Sequence, residues 1–77
     1  MSSKSSQLTV IGVGLLGGSF ALRAREYGLY DRIVGCDALP HVGTTACALG
    51  ILDEFVTDPI EAIQGSDTVL VATPPRK

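Results

Sequence analysis

Thr9-Val10-Ile11-Gly12-Val13-Gly14-Leu15-Leu16-Gly17-Gly18-Ser19 is the stretch that decides the fold of this 77-residue chain. A short apolar run enters a G-x-G-x-x-G turn and leaves it into a helix-like pattern. Each glycine has a physical task. Gly12 lets the chain turn sharply out of a strand. Gly14 has no side chain, so a pyrophosphate can approach the backbone. Gly17 lets the following helix lie close against the strand. Phosphates would then face unpaired N–H groups at the helix start, where the macrodipole favours negative charge.

Asp37 stands twenty residues after Gly17 and closes a second apolar run. An acid at that spacing accepts hydrogen bonds from the adenosine ribose hydroxyls. A 2′-phosphate at the same place would be repelled, and neither Ala38 nor Leu39 offers a positive charge to hold one. The pattern therefore favours NAD over NADP. The competing explanation is a turn aspartate that merely ends a strand. Strand, turn, helix, second strand and acid all agree in order, which turns a weak motif into a dinucleotide-binding expectation.

Working outward, Leu8 to Ile11 reads as the first strand and Leu15 to Tyr27 as the first helix, with Leu16, Phe20, Ala24 and Tyr27 as its apolar stripe. Gly28 sits where a left-handed cap is expected. Ile33 to Asp37 is the second strand, uncharged before its acid as a strand covered on both faces should be. Pro40 to Leu49 reads as a second helix capped by Gly50, although Gly43, Thr44 and Thr45 are poor helix formers. Glu54 to Thr57 is a short third strand. Asp58-Pro59-Ile60-Glu61 opens a short helix: an acid at the N-cap, proline first, glutamate placed for a capping box. Thr68 to Ala72 is the fourth strand, stopped by Thr73-Pro74-Pro75. Such alternation predicts a three-layer α/β, Rossmann-type parallel sheet, with strand one between strands two and four.

The sheet is expected to be partial, with about four strands against six in a complete doubly wound domain. Strand four would be left as an apolar edge. Residues 8–77 thus read as the N-terminal part of a dinucleotide-binding domain, and residues 1–7, polar and serine-rich, as a disordered tail rather than a targeting leader. The chain is 45% hydrophobic and 18% charged, with net charge −2. That balance advertises no nucleic-acid surface. The apolar runs are too short to span a bilayer. Cys36 and Cys47 form no C-x-x-C motif and read as reduced, buried thiols, in keeping with a cytoplasmic protein.

The remaining chemistry-bearing residues carry less. Thr73 lies at the carboxyl edge of the sheet, where ligands of open α/β sheets bind; it either touches a cofactor ribose or simply ends the strand. His41, the lone histidine, reads as a solvated or capping residue rather than a catalyst. Ser19 has no base positioned to make it a nucleophile. Asp53 and Glu54 face different ways and make no metal site. Arg23 and Arg25 read as a solvated helix face.

From Leu8 to Pro74 the chain resembles the N-terminal half-domain of the prephenate and arogenate dehydrogenases. The segments that carry the resemblance are Ile11-Gly-Val-Gly-Leu-Leu-Gly-Gly-Ser19, Val34-Gly-Cys-Asp37, Leu49-Gly-Ile-Leu-Asp53 and Asp67-Thr-Val-Leu-Val-Ala-Thr-Pro74. The doubled glycine followed by serine is more specific than the general fingerprint. The resemblance implies an NAD-dependent oxidative decarboxylation in tyrosine biosynthesis: hydride passes to the nicotinamide and carbon dioxide departs. It implies that Gly12, Gly14 and Gly17 contact or admit the pyrophosphate, that the backbone amides of Leu15 and Leu16 bind it, and that Asp37 binds the ribose. It also implies prephenate or arogenate as substrate and a homodimer for the full-length enzyme. The family's catalytic histidine and substrate arginines lie beyond the matched segment, so no catalytic residue is assigned and turnover by these 77 residues alone is not expected. Two alternatives stand beside it. One is another NAD(P)-dependent dehydrogenase or reductase built on the same half-domain. The other is a non-catalytic nucleotide-binding fragment.

Overall fold

Alternation along the first strand sets the layers. In β1 (Gln7–Ile11), Leu8 and Val10 point to one face of the sheet and are fully buried. Thr9 points to the other face and is equally buried, its hydroxyl donating to the Ala62 carbonyl at 3.0 Å and lying against Ser66 Oγ. A polar side chain is tolerated there because its hydrogen bonds are made.

A computed structural model of the chain describes residues 6–38 and 40–72. The elements after β1 are α1 (Leu15–Glu26), β2 (Arg32–Cys36), α2 (Pro40–Ala48), β3 (Glu54–Val56), α3 (Pro59–Ala62) and β4 (Thr68–Val71). All strand pairings are parallel and the order is β3-β2-β1-β4. Strand one is therefore central, as the alternation predicts. The register places Leu8 beside Ile33 and Thr68, and Ile11 beside Cys36 and Val71.

One core lies between the sheet and the helices α1 and α2. Leu8, Val10 and Ile33 meet Val13, Ala21, Ala24, Ala46 and Leu52 there. A smaller core on the opposite face joins Val34 and Cys36 to Ala62 of α3, with Ile11 and Val56 packed against it. The three layers follow from period-two strands meeting helices on both faces.

The apolar stripe expected on α1 holds at Ala24, which is buried, and is corrected at Phe20 and Tyr27, which are 42% and 69% exposed; the Leu16 side chain lies outside the described ones, and Gly17 and Ala21 face the sheet with Ala24. The reason is close approach. A Cβ on Gly17 would overlap the Gly12 carbonyl oxygen, so the helix lies too near the strand for large side chains. Small residues at i, i+4 and i+7 make the contact. Gly43 is explained in the same way: a Cβ there would overlap the Phe55 ring, so a poor helix former is needed where α2 crosses β3.

Helices α1 and α2 both end in Schellman turns. Leu29 N–H donates to Ala24 O and Ile51 N–H to Ala46 O, around Gly28 and Gly50 at φ +64° and +77°. At α3, Asp58 Oδ1 accepts from Ile60 N–H at 3.0 Å, with Pro59 in the first turn.

Three further differences concern single residues. The first strand opens at Gln7, and Ser6 already bonds Asp31 and Arg32; residues 1–5 of the expected tail lie outside the described residues. Cys47 is exposed, not buried, because the inward face of α2 is taken by Gly43 and Ala46. Arg25 is not simply solvated: its guanidinium reaches Asp53 at 2.7 Å and the Ile51 carbonyl at 3.2 Å.

Candidate dinucleotide site

The carboxyl ends of β1, β2 and β4 lie side by side. Gly12 N–H donates to Cys36 O at 2.7 Å and Ala72 N–H to Ile11 O at 2.8 Å, each extending its ladder one step past the strands. Three segments singled out in the sequence therefore meet at one edge: the glycine turn, Asp37, and Ala72 leading toward Thr73. Thr73 itself lies outside the described residues.

Gly12 makes the turn with φ +93°, a conformation that side chains other than glycine's rarely adopt. Its carbonyl then sits under Gly17, as described above. Gly14 is the N-cap of α1, in extended conformation, and has no heavy atom within 4 Å of where a Cβ would be. The two glycines thus differ in purpose. One closes a packed contact; the other faces open space. The start of α1 has no side-chain cap and no acid in its first turn, whereas α3 has Asp58 in that position. The first N–H groups of α1, on Leu15 and Leu16 among others, are left by the helix geometry without intrahelical acceptors, and they carry the positive end of its dipole.

Asp37 follows β2 and bends back to the turn. Its Oδ2 accepts from Val13 N–H at 2.9 Å. Sequence reasoning placed Asp37 at the site but not this bond, and no side-chain pattern signals it, because the donor is a main-chain amide. Just beneath, burial pushes the Cys36 thiol up, and the carboxylates of Asp37 and Asp58 push it further in the same direction. Both effects favour the protonated thiol over the thiolate.

Ser19 is exposed on α1, and His41 falls in the first turn of α2. Asp53 and Glu54 turn to different partners: Glu54 pairs with Arg32, while Asp53 accepts from Arg25 and from Ile33 N–H at 2.7 Å. That pair lies at the start of β2, the opposite end of the sheet. Burial raises the Asp53 carboxyl, but the Ile33 N–H and the Arg25 and Arg32 charges outweigh it and hold the group below the ordinary carboxylate value. Among the described residues no cluster of three or more histidine, cysteine or acidic side chains is arranged to hold a metal. No described helix is long and apolar enough to cross a membrane.

A family model described as "Prephenate dehydrogenase, nucleotide-binding domain" matches residues 20–77. The prephenate dehydrogenase of Bacillus subtilis (strain 168) is 31% identical over 74 residues, which are 96% of this chain and 20% of that protein. A crystal structure of prephenate dehydrogenase from A. aeolicus, in complex with hydroxyphenyl propionate and NAD+, superposes with a TM-score of 0.83 at 33% identity, covering 96% of this chain and 26% of that one. The family model begins just after the glycine run, and both pairwise matches extend across it. The chain spans about a fifth of the curated relative's length.

Proposed function

The chain belongs to the prephenate dehydrogenase nucleotide-binding domain family, and from that premise we propose that it is the N-terminal NAD-binding part of an enzyme oxidising prephenate or arogenate. Residues 8–77 would form the first portion of the dinucleotide domain. The bond from Val13 N–H to Asp37 is the observation that carries the proposal, since it brings the expected ribose acceptor against the expected phosphate turn.

The residues fit the cofactor. Gly14 leaves space at the head of α1, where a pyrophosphate would accept hydrogen bonds from the amides of Leu15 and Leu16. Gly12 and Gly17 shape that cradle. Asp37 accepts from the ribose hydroxyls and rejects a 2′-phosphate by charge. Thr73 would meet a ribose from the end of β4. When bound, NAD supplies the hydride acceptor for an oxidative decarboxylation in tyrosine biosynthesis. The chain's own part is to bind and orient, and no acid, base or nucleophile for the reaction is assigned among its residues.

The wider assignment goes with this reading: prephenate or arogenate as substrate, a homodimeric full-length enzyme, a cytoplasmic compartment, and neither nucleic acid nor membrane as partner. The two free thiols support the compartment and the modest net charge of −2 the absence of a nucleic-acid partner.

Calorimetric titration of the chain with NAD and with NADP tests the proposal. Saturable binding with NAD preferred by about tenfold or more is expected, the size of one unfavourable charge contact. Equal affinities would remove Asp37 from its role, and a folded chain that binds neither would contradict the proposal.

A further inference from the structure

Among the described residues, two bonds tie the glycine turn to the end of β2. The first is main chain to main chain, from Gly12 N–H to Cys36 O at 2.7 Å. The second uses a side chain, from Val13 N–H to Asp37 Oδ2 at 2.9 Å. Val13 is the single residue between the left-handed turn at Gly12 and the N-cap at Gly14. Its side chain is 5% exposed and packs in the main core. With its side chain held by the core and its N–H by a carboxylate, the peptide entering the helix is fixed in orientation.

We infer that Asp37 is a positioning residue as well as a ribose acceptor: its carboxylate sets the glycine turn through the Val13 N–H, so that the first amides of α1 are aimed before any phosphate arrives. The inference takes its ligand from the NAD reading above, but the bond to Val13 is a property of the chain alone. A carboxylate offers about four acceptor sites, so the bond to Val13 is compatible with acceptance from ribose hydroxyls. The bond is charge-assisted and its donor belongs to a buried residue, which makes its loss costly. Preorganisation of this kind raises affinity by removing an ordering cost from the binding step.

A consequence separates this role from ribose binding. A residue that only touches the ribose has no effect on a cofactor whose ribose hydroxyls are gone. A residue that also holds the turn still does. The deciding experiment uses wild-type chain, Asp37→Ala and Asp37→Asn. It reads hydrogen exchange at the Val13 amide in each ligand-free chain, and the affinity of each for NAD and for an NAD analogue lacking both adenosine ribose hydroxyls. Asparagine keeps a neutral oxygen for Val13, so it also controls for a fold that fails in the alanine variant.

Asp37→Ala is expected to speed Val13 exchange and to weaken the analogue by about tenfold, the size of one lost hydrogen bond to a charged group. Asp37→Asn should recover most of both. If Asp37→Ala weakens NAD but leaves the analogue and Val13 exchange unchanged, the positioning role is overturned while the NAD reading stands. If the wild-type chain binds no NAD, that reading fails. Val13 exchange then still upholds or overturns the hold on the turn by itself.

Discussion

Gly14 and Gly17 stand three residues apart in one motif, and the structure gives them opposite sensitivities. A Cβ at Gly17 would overlap the Gly12 carbonyl, a backbone atom that cannot swing aside, while a Cβ at Gly14 meets nothing. Gly17→Ala should therefore destabilise the fold by about 1–3 kcal/mol, the usual range for overpacking, seen as a lowered thermal midpoint. Gly14→Ala should leave that midpoint within the scatter of a surface substitution and yet weaken NAD, because the methyl fills the approach to the pyrophosphate. Parallel thermal melts and titrations check both, and a Gly14→Ala chain that binds as well as wild type would refute the cradle. The turn at Gly12 and the close packing at Gly17 were legible in the sequence because the motif fixes them by spacing. The Val13–Asp37 bond was not, since its donor is an amide that every residue but proline carries.

At the scale of elements, the far end of the sheet has its own clasp. Asp53 gathers the Arg25 side chain from α1 and the Ile33 N–H from β2, just before β3 begins. Its carboxyl is held below the ordinary value in the folded chain. A group depressed on folding adds stability above its unfolded pKa, and that contribution is lost as pH falls through the folded value. Stability from this clasp is thus full at neutral pH and fades below the ordinary carboxylate range. Denaturant midpoints measured downward from neutral pH should fall less steeply for Asp53→Asn than for wild type, and identical slopes would contradict the clasp. The N-cap of α3 gives a second expectation: Asp58→Ala should cost about 1 kcal/mol, read by urea denaturation. That cap was visible in the sequence as Asp-Pro-x-Glu. The clasp was not, because Arg25 and Asp53 are 28 residues apart and a charged residue on a helix reads as solvated until its partner is known. The buried face of α1 was misjudged for a related reason. Periodicity found Ala24 along with the large residues Phe20 and Tyr27, but missed Gly17 and Ala21, which only the closeness of helix and sheet favours.

For the whole molecule, the order of elements was enough to give the layers and strand order, because parallel strands joined by right-handed crossovers leave few arrangements. It also pointed to the carboxyl edge, where such sheets bind their ligands. Val69 and Val71, 45% and 66% exposed, belong to β4, which pairs only with β1 among the described residues. Exposed apolar edges of this kind associate. Sedimentation should show concentration-dependent self-association of the chain, reduced by Val69→Lys; a wild-type chain that stays monomeric at high concentration would contradict this. Whether NAD binds at the glycine turn is decided by following every backbone amide of the chain by NMR during a titration with NAD. Saturable shifts are expected on Gly12 to Gly18, Asp37 and Ala72, with Arg25 and Asp53 unmoved. Shifts centred elsewhere, or none at saturating NAD in a folded chain, would contradict binding at the turn.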